Sequence, residues 1–137
     1  MPRIESDNEL RELITGARTI AVVGLSPKEH RDSHRVAKYL QEQGYRIIPV
    51  NPNANDVLGE KAYESLEEIP ESVDIVDVFR RPDAVDEVAR DAVEIGAGAI
   101  WMQMGIVNES AAEIADQAGL KVVMDRCLMV DHGRLTS

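Results

Sequence analysis

An α/β fold is predicted by the sequence: a doubly wound, Rossmann-like parallel sheet of five strands with helices on both faces, forming a single domain. Short apolar runs alternate along the chain with longer stretches in which apolar residues recur at helical spacing. Units of this size form right-handed crossovers in a parallel sheet. The 137 residues suit one domain over 1–137, with an N-terminal helix at about 6–15 and a core at about 18–130.

The N-terminal half contains two predicted helices and two predicted strands. Ser6 and Glu9 form a capping-box pattern that opens the first helix. The apolar run at 20–23 predicts a strand buried on both faces of the sheet. Ser33 is the expected N-cap of the second helix, and residues 46–50 form the second predicted strand.

The C-terminal half repeats the alternation after a short predicted helical turn at 65–68. Pro82 takes the favoured first position of one helix, and Asn108 is the expected cap of the next. Three further strands, rich in β-branched and other apolar residues, are predicted at 73–79, 99–104 and 121–124.

The composition is acidic and poor in lysine. Asp and Glu total 25 against 15 Lys and Arg, which gives a formal net charge of −10, and arginine outnumbers lysine by 11 to 4. Nucleic acid and anionic membranes are not expected as partners, because both would be repelled. A carboxylate-rich, lysine-poor surface is typical of a salt-adapted, halophilic organism; the alternative is an ordinary acidic protein.

The chain carries no sequence signal for a membrane or an oxidising compartment. No apolar run approaches the ~20 residues of a membrane helix, and the N-terminus is polar rather than signal-like. Cys127 is the only cysteine, so neither an intrachain disulfide nor a cysteine-based metal cluster is available. We therefore expect a soluble, cytoplasmic protein.

A local basic segment stands out against this acidic background. Residues 26–38 carry four cations and two acids, and Arg80 and Arg81 form a second basic pair after the third predicted strand. Such clusters favour an anionic ligand. The alternatives are a solvated helix start and surface pairing with neighbouring acids. The four cations of the segment are Lys28, Arg31, Arg35 and Lys38.

The turn after the first predicted strand has the layout of a nucleotide-binding turn without its full glycine pattern. A dinucleotide turn reads G-x-G-x-x-G, whereas here Gly24 is followed by Ser26 and Glu29 at the other two glycine positions. An NAD site also needs an acid after the second strand to bind the ribose, and this chain has Asn51 there. These departures argue against NAD and for another phosphate-bearing ligand.

Several motifs together resemble a known family. The motifs, in chain order, are Gly24-x-Ser-Pro27, Tyr45-Arg-Ile-Ile-Pro-Val-Asn-Pro52, Tyr63-x-Ser-Leu-x-x-Ile-Pro70, Val73-Asp-Ile-Val-Asp-Val-Phe-Arg-Arg-Pro82 and Trp101-Met-Gln-Met-Gly105. In this order and spacing the chain resembles the small stand-alone CoA-binding proteins, which are similar to the N-terminal CoA-binding domain of the succinyl-CoA synthetase α subunit. The resemblance covers about residues 8 to 132.

The resemblance implies coenzyme A or an acyl-CoA as the ligand, and it assigns a role to each strand end. The CoA phosphates would be held by Gly24, Leu25, Ser26, Pro27 and Lys28. The nucleotide would be lined by Asn51, Pro52 and Asn53. The adenine end would be flanked by Phe79, Arg80, Arg81 and Pro82. The pantetheine would meet Gln103, Met104 and Gly105.

Two further phosphate contacts follow from the residues themselves. A helix N-terminus near Ser33 offers backbone amides and the positive end of a dipole, and Arg35 offers a charge-assisted contact. The synthetase's catalytic phosphohistidine lies beyond this domain, so the resemblance does not imply ligase activity.

No catalytic constellation is visible in the sequence. Ser26 lacks the G-x-S-x-G context of a hydrolase nucleophile, and the three histidines lack metal-ligand spacing. We therefore expect a non-catalytic CoA-binding protein that acts as a sensor, a carrier or a regulatory subunit. The alternatives are an NAD(P)-binding oxidoreductase-like protein and a subunit that partners an acyl-CoA synthetase. A homodimer is also considered.

Cys127 carries a separate hypothesis. It follows Arg126 at the end of the last predicted strand, where a bound CoA thiol would reach and where the guanidinium would favour the thiolate. We predict a mixed disulfide between Cys127 and CoA, the alternative being an inert, half-buried thiol.

Overall fold

The structure is a computed structural model that describes residues 3–136. Its main element is a five-stranded, fully parallel sheet. Its strands lie in the order β2–β1–β5–β6–β7. They are β1 (Thr19–Val23), β2 (Arg46–Val50), β5 (Ile75–Val78), β6 (Ala99–Met102) and β7 (Lys121–Val123). A small antiparallel hairpin pairs β3 (Asp56–Val57) with β4 (Glu60–Lys61). The predicted fold class is thereby confirmed.

Helices cover both faces of the sheet. They are α1 (Asp7–Gly16), α2 (Asp32–Glu42), α3 (Val85–Glu94), α4 (Glu109–Gln117) and α5 (Leu128–Thr136), with short 3₁₀ turns at Leu66–Glu68 and Pro82–Ala84. The apolar faces of α1, α2 and α5 pack on one side of the sheet, and those of α3 and α4 pack on the other. The sequence predicted neither the hairpin nor α5.

The strand order creates a crevice beside β1. The chain crosses from β1 outward to β2 and then returns to the opposite side of β1 as β5, so two neighbouring strands lead to helices on opposite faces. In open α/β sheets, ligands bind outside the carboxyl ends of the strands at such a switch point. The residues after Val23 and Val78 therefore position the candidate site.

Several predicted boundaries are wrong. Strand β5 covers 75–78 rather than 73–79, and the helix predicted to start at Pro82 begins as a 3₁₀ turn before α3. Two other differences bear on the site. The N-cap of α2 is Arg31 and not Ser33, and no side chain within residues 3–136 caps this helix. Ser33 instead lies in the first turn, where its hydroxyl accepts a hydrogen bond from the backbone amide of Ser26 at 3.0 Å. Strand β6 ends at Met102 rather than 104, because the chain turns at Gly105, whose φ of +86° is in the left-handed region.

Short segments from elsewhere in the chain pair with the outer strands. Arg3 forms a parallel bridge to Val122 of β7, and the amide of Ile4 donates to the Val122 carbonyl at 2.7 Å. On the other side, Tyr63 bridges to Val50 of β2. Within residues 3–136, no helix is long and apolar enough to cross a membrane.

Candidate ligand-binding site

Gly24 and Phe79 meet at the switch point between β1 and β5. The Gly24 amide donates to the Val50 carbonyl and the Phe79 amide donates to the Val23 carbonyl, both at 2.8 Å. A Cβ built on Gly24 would lie 2.3 Å from the Phe79 carbonyl oxygen, and φ of Gly24 is +89°. This position requires glycine both for its conformation and for the space around it.

The turn after Gly24 is held in place by side chains rather than by further glycines. Ser26 bonds to three neighbours: its amide donates to the Ser33 hydroxyl, its hydroxyl accepts from the Lys28 amide at 3.1 Å, and its carbonyl accepts from Nδ1 of His34 at 2.9 Å. On the neighbouring strand end, the side-chain nitrogen Nδ2 of Asn51 donates to the Leu25 carbonyl at 3.0 Å. The serine, histidine and asparagine thus give this turn a fixed shape.

The first cleft, which we define by its walls at the β1 turn and the start of α2, is cationic. Its volume is about 600 Å³. Since no side chain among the described residues caps α2, the first turn of this helix brings the positive end of its dipole into the cleft wall at Asp32 and Ser33. This combination suits an anion such as a phosphate group. The cleft is lined by Gly24, Ser26, Lys28, His30, Arg31, Asp32, Ser33 and Phe79.

The second cleft lies on the other side of Gly24 and Phe79, which it shares with the first. Its volume is about 500 Å³. Its walls come from the ends of β1 and β2, the segment before the first 3₁₀ turn and the start of α3. They include Asn51, Pro52, Asn53, Glu64, Ser65, Leu66, Arg80, Glu87, Val88 and Asp91. The two clefts together offer a cationic part and a part rich in hydrogen-bond acceptors.

Carboxylates crowd one end of the second cleft. Burial raises the pKa of Asp91, and the nearby carboxylates of Glu67, Glu87 and Glu94 raise it further. A donor such as an exocyclic amino group would therefore be favoured there, whereas a phosphate would be repelled.

A buried polar pair joins β5 to the residue that follows β6. The side-chain amide Nε2 of Gln103 donates to Oδ1 of Asp77 on β5 at 2.6 Å. Burial raises the pKa of Asp77 to about 7, although the hydrogen bond from Gln103 opposes this shift. The next residues, Met104 and Gly105, are exposed, and the Gly105 amide donates to Oδ1 of Asp125 at 2.7 Å.

Comparison with known proteins identifies the family. The family model described as a CoA binding domain matches residues 18–133. This chain belongs to the CoA-binding domain family. Its sequence is 45% identical over 127 residues to the uncharacterized protein YneT of Bacillus subtilis (strain 168), covering 93% of this chain and 94% of that protein. The predicted resemblance is thereby confirmed.

Two further relatives place this CoA-binding domain in context. It is 32% identical over 123 residues to acetate–CoA ligase (ADP-forming) I of Archaeoglobus fulgidus, covering 81% of this chain and 18% of the ligase. A solved structure of a hypothetical protein from Pyrococcus horikoshii OT3 superposes with a TM-score of 0.95 at 42% identity, covering 97% of this chain and 94% of that one. The chain thus spans most of one kind of relative and a small part of the other.

Nine of the predicted site residues line the two clefts of this CoA-binding domain. They come from three strand ends and the start of α2, which the fold brings together as expected. They are Gly24, Ser26, Lys28, Ser33, Asn51, Pro52, Asn53, Phe79 and Arg80.

The remaining predicted residues lie outside both cleft walls. Leu25 is fully buried in the core, and the Arg35 guanidinium pairs with Asp32. Arg81 is exposed and lies 3.7 Å from Asp83. The other residues outside the walls are Pro27, Pro82, Gln103, Met104 and Gly105. Their contact with a ligand stays a prediction.

Sequence reasoning missed several lining residues. His30 and Arg31 belong to the basic segment, so their charge signal was present but their position at the cleft was not assigned. Glu87 and Asp91 stand four residues apart on α3, a spacing that places two side chains on one helix face. The local sequence does not predict which face of α3 packs near the end of β2, so these two residues could not be assigned to the cleft.

Cys127 lies half-buried between β7 and α5. The Arg126 guanidinium donates to Asp131 from Nε at 2.6 Å and from Nη2 at 3.0 Å, so its charge is compensated by a carboxylate. The argument that Arg126 activates the thiol is weakened by this pairing. Within residues 3–136, no group of three or more histidine, cysteine and acidic residues is placed to hold a metal ion.

Proposed function

We infer that this protein binds coenzyme A or an acyl-CoA across the two clefts, without catalysing a reaction, as a sensor, a carrier or a regulatory subunit. The observation that carries this proposal is the meeting of a cationic cleft and an acceptor-rich cleft at Gly24 and Phe79. CoA has the matching division, since its pyrophosphate and 3′-phosphate are anionic and its adenine carries an amino donor.

The phosphates are assigned to the first cleft. Lys28 and Arg31 supply charge, and the start of α2 supplies backbone amides that no side chain of the described residues caps. The adenine nucleotide is assigned to the second cleft, with Arg80 at the junction. Cδ of Arg80 lies 3.3 Å from the position of a Cβ built on Gly24. The Arg80 side chain therefore packs against the turn at Gly24.

The hydrogen bonds of Asn51 argue against NAD as the ligand. Its Nδ2 donates to the Leu25 carbonyl and its Oδ1 accepts from the Asn53 amide at 2.8 Å, so both ends of its side chain are used within the protein. An NAD site needs a carboxylate here to accept from the ribose hydroxyls. CoA makes no such demand, because its ribose is phosphorylated at the 3′ position.

A role as a subunit of an acyl-CoA synthetase is a second candidate. It is favoured by the similarity to a segment of the acetate–CoA ligase of Archaeoglobus fulgidus, whose remaining length has no counterpart in this chain. Co-purification with a larger chain would support this candidate. A stand-alone role or a homodimer is supported instead if the purified protein runs alone at the mass of one or two chains.

Calorimetric titration with CoA, acetyl-CoA, NAD, NADP and ATP, at low and high salt, tests the proposal. We expect CoA and acetyl-CoA to bind more tightly than the dinucleotides, and binding to weaken at high salt because phosphate contacts are screened. Comparing the two CoA ligands decides between CoA and acyl-CoA. Tighter binding of NAD than of CoA would overturn the proposal.

Release of free thiol tests the absence of catalysis. Acetyl-CoA incubated with the protein should yield no more thiol than acetyl-CoA in buffer. Multiple turnovers of thiol release would contradict the non-catalytic role while leaving CoA binding intact.

A further inference from the structure

Asp77 is a fully buried carboxyl in the middle of the sheet. It lies on the central strand β5, and its register partners on the neighbouring strands are the apolar residues Val22 and Trp101. Burying an isolated carboxylate in such surroundings costs several kcal/mol of folding free energy. An apolar residue at this position would be expected to give a more stable core. The phosphate and adenine contacts proposed above do not use it.

The single side-chain partner of Asp77 among the described residues is Gln103. Nε2 of Gln103 donates to Oδ1 of Asp77, while Oδ2 of Asp77 has no hydrogen-bond partner within residues 3–136. The backbone of Gln103 is also fixed, since its carbonyl accepts from the Ile106 amide at 2.9 Å. Asp77 therefore controls which end of the Gln103 amide points down into the sheet.

The other end of this amide is left for a ligand. A carboxylate can only accept hydrogen bonds, so ionised Asp77 requires Nε2 of Gln103 to face it and Oε1 to face away. No described residue donates to Oε1, and this oxygen is not among the atoms that are buried without a partner. Oε1 is thus an acceptor at the carboxyl end of β6, the strand that pairs with β5, and the Gln103 backbone amide donates to the carbonyl of Val78, the residue before Phe79, at 3.4 Å.

We propose that Asp77 is a positioning residue that holds Gln103 with Oε1 outward, where it accepts a hydrogen bond from an amide N–H of the pantetheine chain. This inference rests on the proposed CoA binding. A lone acceptor oxygen repels phosphate but suits an N–H donor, and pantetheine is the part of CoA that carries secondary amides. Gln103 also lies one strand beyond the switch point, away from the cationic residues of the first cleft.

The protonation state of Asp77 sets this orientation. When Asp77 is neutral, a proton on Oδ2 has no acceptor among the described residues. A proton on Oδ1 can instead donate to Oε1 of Gln103, provided that the Gln103 side-chain amide rotates by 180°. The turned amide no longer presents its acceptor to the ligand. Because burial places the pKa of Asp77 at about 7, CoA binding should weaken as the pH falls through this value.

The other buried titratable groups on this face of the sheet, His34, Asp131 and His132, are paired within the protein, and Cys127 is a half-buried free thiol. His34 of α2 donates to the Ser26 carbonyl. On α5, Asp131 accepts from Arg126 and Arg134, and His132 bonds to Tyr39 of α2. Burial and Gln103 are the causes that act on the pKa of Asp77, and no charged group is among them.

Titration of CoA and of adenosine 3′,5′-bisphosphate, which lacks the pantetheine chain, tests the inference. At pH 8, Asp77→Val and Gln103→Leu should each weaken CoA binding by about 3- to 10-fold, the loss of one hydrogen bond, and leave the bisphosphate unchanged. Between pH 8 and pH 6, wild-type affinity for CoA should fall by a similar factor relative to Asp77→Asn, which has no proton to gain at this site.

The possible outcomes separate this inference from the proposed function. Equal losses for both ligands, unchanged CoA binding in Gln103→Leu, or the same pH profile in Asp77→Asn as in wild type would each overturn the positioning role while CoA binding stands. A wild-type protein that binds neither ligand refutes the proposed function itself. If Asp77→Val does not fold, Gln103→Leu and the pH profile of Asp77→Asn still decide the question.

Discussion

Gly24 approaches Phe79 so closely that a Cβ on Gly24 would lie 2.3 Å from the Phe79 carbonyl oxygen. Gly24→Ala should therefore destabilise the protein by about 2 to 4 kcal/mol, because left-handed strain and a backbone clash add together. Urea unfolding measures this loss. Because β1 and β5 must separate to admit the methyl group, CoA binding should also weaken.

Gly119→Ala is the matched control for this substitution. Gly119 has nearly the same φ, +86°, but no atom lies within 4 Å of its added Cβ. Its loss should be about 1 to 2 kcal/mol from conformation alone, with CoA binding intact. Equal losses at the two glycines would show that the contact with Phe79 costs nothing.

Arg80 and Arg81 are adjacent arginines with different surroundings, since Arg80 lines the second cleft and Arg81 points to Asp83 at the surface. Arg80→Ala should weaken CoA binding by about 1 to 3 kcal/mol, the range for a charge-assisted hydrogen bond. Arg81→Ala removes the same charge and should cost less. A larger loss in Arg81→Ala would show that the phosphates are assigned to the wrong side of the junction.

Burial of Asp77 should make stability fall as the pH rises. The native state keeps the proton up to a pKa of about 7, whereas the unfolded chain loses it near 3.8, so between these values the native state binds more protons. The free energy of unfolding should decrease from pH 4.5 to pH 8.5 by of order 2 to 4 kcal/mol through this group.

Asp77→Asn isolates this contribution, since it keeps the shape of the side chain and cannot ionise. Urea unfolding of both proteins at the two pH values should show the variant gaining on wild type as the pH rises. A constant difference would mean that Asp77 is ionised in the native state even at low pH.

Cys127 is expected to form a mixed disulfide with CoA. Its thiolate would attack oxidised CoA, forming the protein–CoA disulfide and releasing one CoA thiolate. Intact-mass measurement after incubation with oxidised CoA should show one CoA adduct, which Cys127→Ser should lack. Since Arg126 is compensated by Asp131, we expect slow formation. An adduct that persists in Cys127→Ser would refute the assignment.

The sequence predicted those elements whose signals are local. Ser6 and Asn108 cap α1 and α4 through their own side chains, as isolated segments with these residues would. Helix α5 has no comparable signal. It buries Asp131 and His132, and the partner of His132 is Tyr39, 93 residues away. Polar residues in a helix core make sense only once the tertiary structure supplies their partners.

The candidate site divides in the same way. The ends of the strands can be located from the apolar runs. Because the carboxyl ends of parallel strands meet at one edge of the sheet, the sequence predicts that Gly24, Asn51 and Phe79 lie near one another. The direction of a long side chain cannot be predicted from such runs. The Arg35 guanidinium, for example, pairs with Asp32 and does not line the first cleft. The sequence places Asp77 in a strand of mostly apolar residues. Only the structure shows that Gln103, 26 residues along the chain, donates a hydrogen bond to its carboxylate.

The backbone contacts that Tyr63 and Ile4 make with the outer strands also limit how copies of this chain can associate. Tyr63 occupies the carboxyl end of the outer β2 edge, and Ile4 occupies the middle of the outer β7 edge. An exposed strand edge invites a second molecule to continue the sheet, and both outer edges here are interrupted. A homodimer would therefore be built from helix faces or loops rather than by extending one sheet into a ten-stranded sheet.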